Sequence, residues 1–117
     1  MEQTPVALDS LAVLDELLRD SEHLPLLLFK HSQTCGISAE ALDELEAHIA
    51  EGGAAVRYAM VTVQTHQELS NVVSSRLGIR HETPQVILVR DGRAVWTASH
   101  FRVNAVELAR AIAATAS

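Results

Sequence analysis

With 117 residues and a formal net charge of −6, the chain has room for one hydrophobic core. It lacks the cationic face that nucleic acid or an anionic membrane surface requires. An apolar fraction of 48% and a charged fraction of 21% exclude disorder as the main state, and the single cysteine, Cys35, excludes an intrachain disulfide framework and multi-cysteine structural zinc.

Met1-Glu2-Gln3-Thr4-Pro5 carries neither a basic nor an apolar leader region, and the dense apolar stretch Leu24 to Phe29 is too short to span a bilayer. The expected compartment is the reducing cytoplasm. Asp9-Ser10 offers a helix cap, and Leu8, Leu11, Leu14, Leu17 and Leu18 then recur at helical spacing toward Asp20. Leu26 to Phe29 is an uninterrupted apolar run, the pattern of a strand buried on both faces. After a polar break, Ile37, Ala41, Leu42, Leu45 and Ile49 mark a second helix, which Gly52-Gly53 is expected to end.

Val56 to Val63 reads as a second strand. Thr65-x-x-Glu68 has the form of a capping box, and Leu69, Val72, Val73 and Leu77 form a third helical stripe that stops at Gly78. Val86 to Arg90, Asp91-Gly92 and Arg93 to Ser99 form a β-hairpin with a two-residue turn. Asn104-x-x-Glu107 caps a last helix whose stripe is Val106, Ala109, Ile112 and Ala113. The order α-β-α-β-α-β-β-α predicts an α/β fold over residues 1–117, one domain with a mixed four-stranded sheet and helices on both faces.

The first two strands are expected to run parallel and the third antiparallel to the first. This places the segment after Lys30, the start of the strand at Pro84 and the end of the last strand at His100 along one edge. Cys35 falls at a helix start, where unpaired backbone N–H groups favour a thiolate, the reactive form of the residue. Ser38 is placed to donate a hydrogen bond to the sulfur, and Lys30 and His31 to add positive potential. His31, His81 and His100 fall at this edge, whereas His23, His48 and His66 read as surface or cap residues. No paired metal-ligand spacing occurs, so no metal is expected. Trp96, in a strand, is expected to pack on the core.

The element order, the cysteine at the helix start and Thr83-Pro84 before the hairpin resemble the thioredoxin fold. In that superfamily the Thr–Pro bond is cis and lies against the active cysteine. Cys35-Gly36-Ile37-Ser38 has serine where the second cysteine of a C-x-x-C motif would stand. Phe29-Lys30-His31-Ser32-x-Thr34-Cys35-x-Ile37-Ser38, His81-Glu82-x-Pro84-Gln85 and Val95-Trp96-x-Ala98-Ser99-His100 together resemble the YtxJ-like monothiol bacilliredoxins. Gly36 departs from the proline common there. An oxyanion loop of the Cys-x5-Arg type is excluded, because Ala41 occupies the arginine position.

The resemblance implies a cytosolic monothiol thiol–disulfide oxidoreductase that removes bacillithiol from client proteins, with Thr34, Cys35 and Ser38 at the reacting centre. Lys30, His31, Gly36, His81, Thr83, Pro84 and His100 are the expected substrate-binding residues, with Arg80 a further cation. Charge and placement suggest that the basic groups hold bacillithiol carboxylates. No bound cofactor is expected; bacillithiol is the co-substrate and S-thiolated proteins are the partners. The alternative is a non-catalytic thioredoxin-like module that binds through the groove beside Cys35 and Pro84.

Overall fold

The apolar run from Leu26 becomes the centre of the sheet. In the computed structural model, which describes residues 5–51 and 55–115, the elements are β1 (Val6–Ala7), α1 (Leu11–Asp20), β2 (Leu26–His31), α2 (Gly36–Ala50), β3 (Arg57–Thr62), α3 (Gln67–Leu77), β4 (Gln85–Arg90), β5 (Arg93–Ser99), a short 3-10 turn (His100–Arg102) and α4 (Ala105–Thr115). The sheet order is β1-β3-β2-β4-β5, with β2 parallel to β3 and antiparallel to β4. Among the described residues no helix is long and apolar enough to cross a membrane.

Strand alternation divides the core in two. Leu27, Phe29, Val86 and Leu88 pack with Ala41 and Leu45 of α2 and Leu108 and Ile112 of α4. Leu26, Leu28, Ile87 and Val89 pack on the other face with Leu14 and Leu17 of α1 and Leu69 and Val73 of α3. Full burial of a large apolar side chain contributes about 1.5–3 kcal/mol, so β2, lined on both faces, anchors the sheet. Trp96 packs, partly buried, against the first cluster.

The sequence reading of the fold requires four corrections. The sheet has five strands: Val6–Ala7 adds to β3 in parallel, an element too short to leave a pattern in sequence. Thr65 does not cap α3; the cap residue is His66, and the Thr65 hydroxyl donates to the Thr62 carbonyl. The buried stripe of α4 is Leu108, Ala111 and Ile112, whereas Val106 is 66% exposed. The helix is so rich in alanine that leucine, the larger anchor, decides which side turns inward. Finally, His48 is buried, and its Nε2 lies 2.8 Å from the Tyr58 hydroxyl.

Asn104 does cap α4: its Oδ1 accepts from Glu107 N at 2.9 Å. Asp91 and Gly92 have φ of 53° and 73°, the left-handed pair of a type I′ turn. Met1–Thr4 and Gly52-Gly53, cited above for a leader and a helix stop, lie outside the described residues.

Candidate active site

Topology brings four chain segments to one edge. β2 leaves the sheet at His31 and β3 at Thr62, while the antiparallel β4 enters at Gln85, opposite Lys30. β5 returns to the same edge, where Ser99 pairs with Gln85 and His100 N donates to the Pro84 carbonyl at 3.0 Å. The Thr83–Pro84 bond is cis. His100 has φ of 57°, a conformation that side chains other than glycine rarely adopt and that recurs at functional sites.

Cys35 is the N-cap of α2, in extended conformation, and is neither buried nor fully exposed. Its carbonyl accepts from Ala39 N, while its side chain makes no cap hydrogen bond. The sulfur is therefore left for chemistry at the start of a fifteen-residue helix, the end at which backbone N–H groups lack intrahelical partners.

The loop before it is held by a residue that sequence reasoning missed. Gln64, just beyond β3, accepts from Gln33 N at 3.0 Å through Oε1, and its Nε2 donates to Ser32 Oγ at 2.7 Å and Thr34 Oγ1 at 3.2 Å. The sequence signal was present: parallel neighbours end side by side, so residues just after β2 and β3 must meet. Thr34 thus shapes the approach to Cys35. Gly36 opens α2, and a Cβ built there meets nothing within 4 Å, so neither a close contact nor a positive φ demands glycine.

Ser38 corrects an expectation. It is fully buried; its Oγ accepts from Ser32 N at 2.9 Å and shares a 2.9 Å hydrogen bond with His31 Nδ1. The hydroxyl thus serves the end of β2 rather than donating to the Cys35 sulfur. Burial pulls His31 below its ordinary value, so its ring is neutral at pH 7.

Lys30 corrects another. As β2 alternates, Phe29 and His31 face α2 while Lys30 faces α3, with no exposed surface. Its Nζ donates to the Ser70 carbonyl at 2.9 Å and Ser74 Oγ at 2.5 Å, and lies 3.0 Å from His81 Nδ1. Burial pushes Lys30 down to about 8. A buried ammonium with all its protons engaged does not hold a ligand carboxylate. His81 and His100 are exposed, Thr83 is half-buried and Pro84 is buried.

Along α2, starting two residues beyond Cys35 in the chain, lies a groove of about 420 Å³, bounded by Ile37, Glu40, Asp43 and Glu44 of α2 and by His100 and Phe101. Phe101 is 70% exposed. The edge therefore has a side along α2 that carries three carboxylates, Phe101 and His100, and a separate loop that carries His81. Among the described residues no group of three or more His, Cys, Asp and Glu is placed to hold a metal ion.

Three histidines with lowered values make the fold sensitive to acid. Burial lowers the values of His31, His48 and His81 below 6.5; Glu51 opposes this at His48, and at His81 the Lys30 charge adds to it while Glu82 opposes. The unfolded chain takes up protons as pH falls through 6.5, while the folded chain holds these rings neutral. Stability is thus full above about 6.5 and declines as pH drops toward the folded values. Urea midpoints at pH 7.5 and 5.5 measure this. His48→Gln, which keeps a polar partner for Tyr58 and cannot titrate, is expected to show a shallower decline; an equal decline contradicts the assignment.

Comparison with known proteins agrees with this arrangement. A solved structure described as a proposed oxidoreductase with a thioredoxin fold is 27% identical, with a TM-score of 0.82 over 92% of this chain and 93% of that one. Thioredoxin from Fasciola hepatica (22% identity, TM-score 0.75) aligns over 93% of this chain and 97% of its own. Thioredoxin from Trypanosoma brucei brucei (16% identity, TM-score 0.77) aligns over 97% and 95%. The last two show the fold alone. The family model described as monothiol bacilliredoxin BrxC matches residues 6–108, and the chain, α/β with a thioredoxin-like fold, belongs to that family of oxidoreductases.

Proposed function

We propose that the protein removes bacillithiol from S-thiolated client proteins in the cytoplasm by monothiol exchange at Cys35. The observation that carries this reading is the placement of the sole cysteine as the N-cap of α2, partly exposed, on the edge shared with the Thr83–Pro84 bond.

The Cys35 thiolate attacks the bacillithiol sulfur of the mixed disulfide. The client–sulfur bond breaks, and the client leaves as a thiolate that takes a proton from water. Cys35 then carries bacillithiol. A second bacillithiol thiolate attacks the adduct, which regenerates the Cys35 thiolate and forms bacillithiol disulfide. In sum the incoming bacillithiol sulfur is oxidised to the disulfide level and the client cysteine sulfur is reduced to a thiol, while the bacillithiol sulfur taken from the client stays at the disulfide level throughout. Ser38 has no thiol with which to resolve the adduct, so a small thiol must.

The client is expected to lie along the acidic groove beside Phe101, and Thr83 to offer its backbone to the bound chain. The carboxylates of bacillithiol are expected on the side of His81, away from Glu40, Asp43 and Glu44, where like charge would oppose them. The assay is incubation of a bacillithiolated client with catalytic protein and excess bacillithiol, with client mass as the readout. Loss of the adduct at rates well above the protein-free control is expected. A client that stays modified, while a general dithiol reductant strips it, contradicts the exchange role and favours a binding module.

A further inference from the structure

Two buried polar side chains that face each other across neighbouring strands are unaccounted for by the exchange chemistry. Lys30 of β2 and Gln85 of β4 are direct register partners, and both are buried. Each reaches the loop that precedes Pro84. Lys30 Nζ meets His81 Nδ1 at 3.0 Å, and Gln85 Nε2 donates to the Arg80 carbonyl at 2.9 Å. Packing does not explain the pair. Gln85 Oε1 and the hydroxyl of Ser70 are buried with no hydrogen-bond partner among the described residues, so the cluster costs stability that apolar residues would not.

We propose that Lys30 is a positioning residue: with Gln85 it ties the Arg80–Thr83 loop to the sheet and locks the His81 ring with Nδ1 bare and Nε2 protonated, presenting an N–H donor to a carboxylate of the small thiol. The proposal rests on the exchange reading above and names the group that recognises the thiol.

Donor counting supports it. An ammonium has three protons and no lone pair. The three neighbours of Nζ are the Ser70 carbonyl, Ser74 Oγ and His81 Nδ1, so Nδ1 must accept. The neutral ring then carries its proton on Nε2, on a residue that is exposed. The groups that bear on this ring are consistent with a neutral state. Burial and the Lys30 charge lower its value, and Glu82 alone opposes. The tether also explains why a lysine, rather than an apolar residue, occupies a fully buried strand position.

The test has two arms, both at pH 7. In the first, ring-nitrogen NMR of 15N-histidine-labelled wild type is read without substrate, with His81 assigned by its loss in His81→Gln. A single Nε2–H tautomer is expected, relaxing toward a mixture in Lys30→Met. An Nδ1–H tautomer or a mixture in the wild type overturns the tether.

In the second, KM for bacillithiol in the release step is compared for Lys30→Met, His81→Gln and the double variant. Each single change is expected to raise KM about tenfold, the scale of one hydrogen bond to a charged group, with kcat little changed. The double variant is expected to be no worse than His81→Gln. Multiplying effects overturn the claim that Lys30 acts through His81. The first arm needs no activity, so failure of the exchange reading and failure of the tether are told apart. Because wild type alone decides that arm, a Lys30→Met variant that does not fold leaves the tether decidable.

Discussion

Cys35→Ser is expected to bring client de-thiolation down to the protein-free background while the fold is kept. Serine is itself a good N-cap, and Cys35 makes no side-chain cap bond that the change would remove. The hydroxyl cannot form or accept a disulfide, and only the thiolate attacks. Client mass gives the activity and a urea transition gives the stability. Residual turnover above background in a variant free of cysteine would place the chemistry elsewhere and end the Cys35 account.

Ser38→Cys is expected to change the end product rather than the rate. The added thiol stands one turn into α2 from Cys35. One helical turn is about 5.4 Å, inside the roughly 4.4–6.8 Å Cα separation that a disulfide spans. The variant is expected to discharge its adduct by forming a bond between positions 35 and 38, releasing bacillithiol as a thiol and leaving a protein two hydrogen atoms lighter than its dithiol form. To do so the new sulfur must turn away from Ser32 N and His31 Nδ1, the partners of the native hydroxyl. Stability is expected to fall by about 1–3 kcal/mol, the cost of leaving buried polar groups unpaired. Intact mass after exposure to the bacillithiolated client decides it. A variant that retains the small thiol shows that those two partners hold the side chain away from Cys35.

What could be read from sequence was what local chemistry dictates. Asp91-Gly92 between two β-branched runs specifies its turn, Gly78 takes the left-handed helix end, and Asn104 caps α4. The apolar run at Leu26 fixes a two-sided central strand, and from it the shared edge of Cys35, Pro84 and His100 follows. What escaped depends on which way a side chain faces. Lys30 and His31 are adjacent in sequence, yet strand alternation sends one beneath α3 and the other toward α2. Read as two cations near Cys35, they are a buried tether and a neutral ring.

His48 looked like a surface residue because a polar ring on an otherwise acidic helix suggests solvent. Its burial depends on Tyr58, a partner that only the packed structure supplies. Gln85 stands in the His81-Glu82-x-Pro84-Gln85 block, and Gln64 is reachable only through the rule that parallel strands end side by side. Neither spacing names the hydrogen-bond partners that adjacency across strands gives them.

The central claim is that one sulfur accepts the small thiol and holds it. The most direct measurement is intact and peptide mass of wild-type protein mixed in equal amount with a bacillithiolated client, without free thiol, at pH 7. The expected result is one bacillithiol adduct, mapped to Cys35, with a matching loss from the client. An unmodified Cys35 beside a client that keeps its adduct would contradict the account.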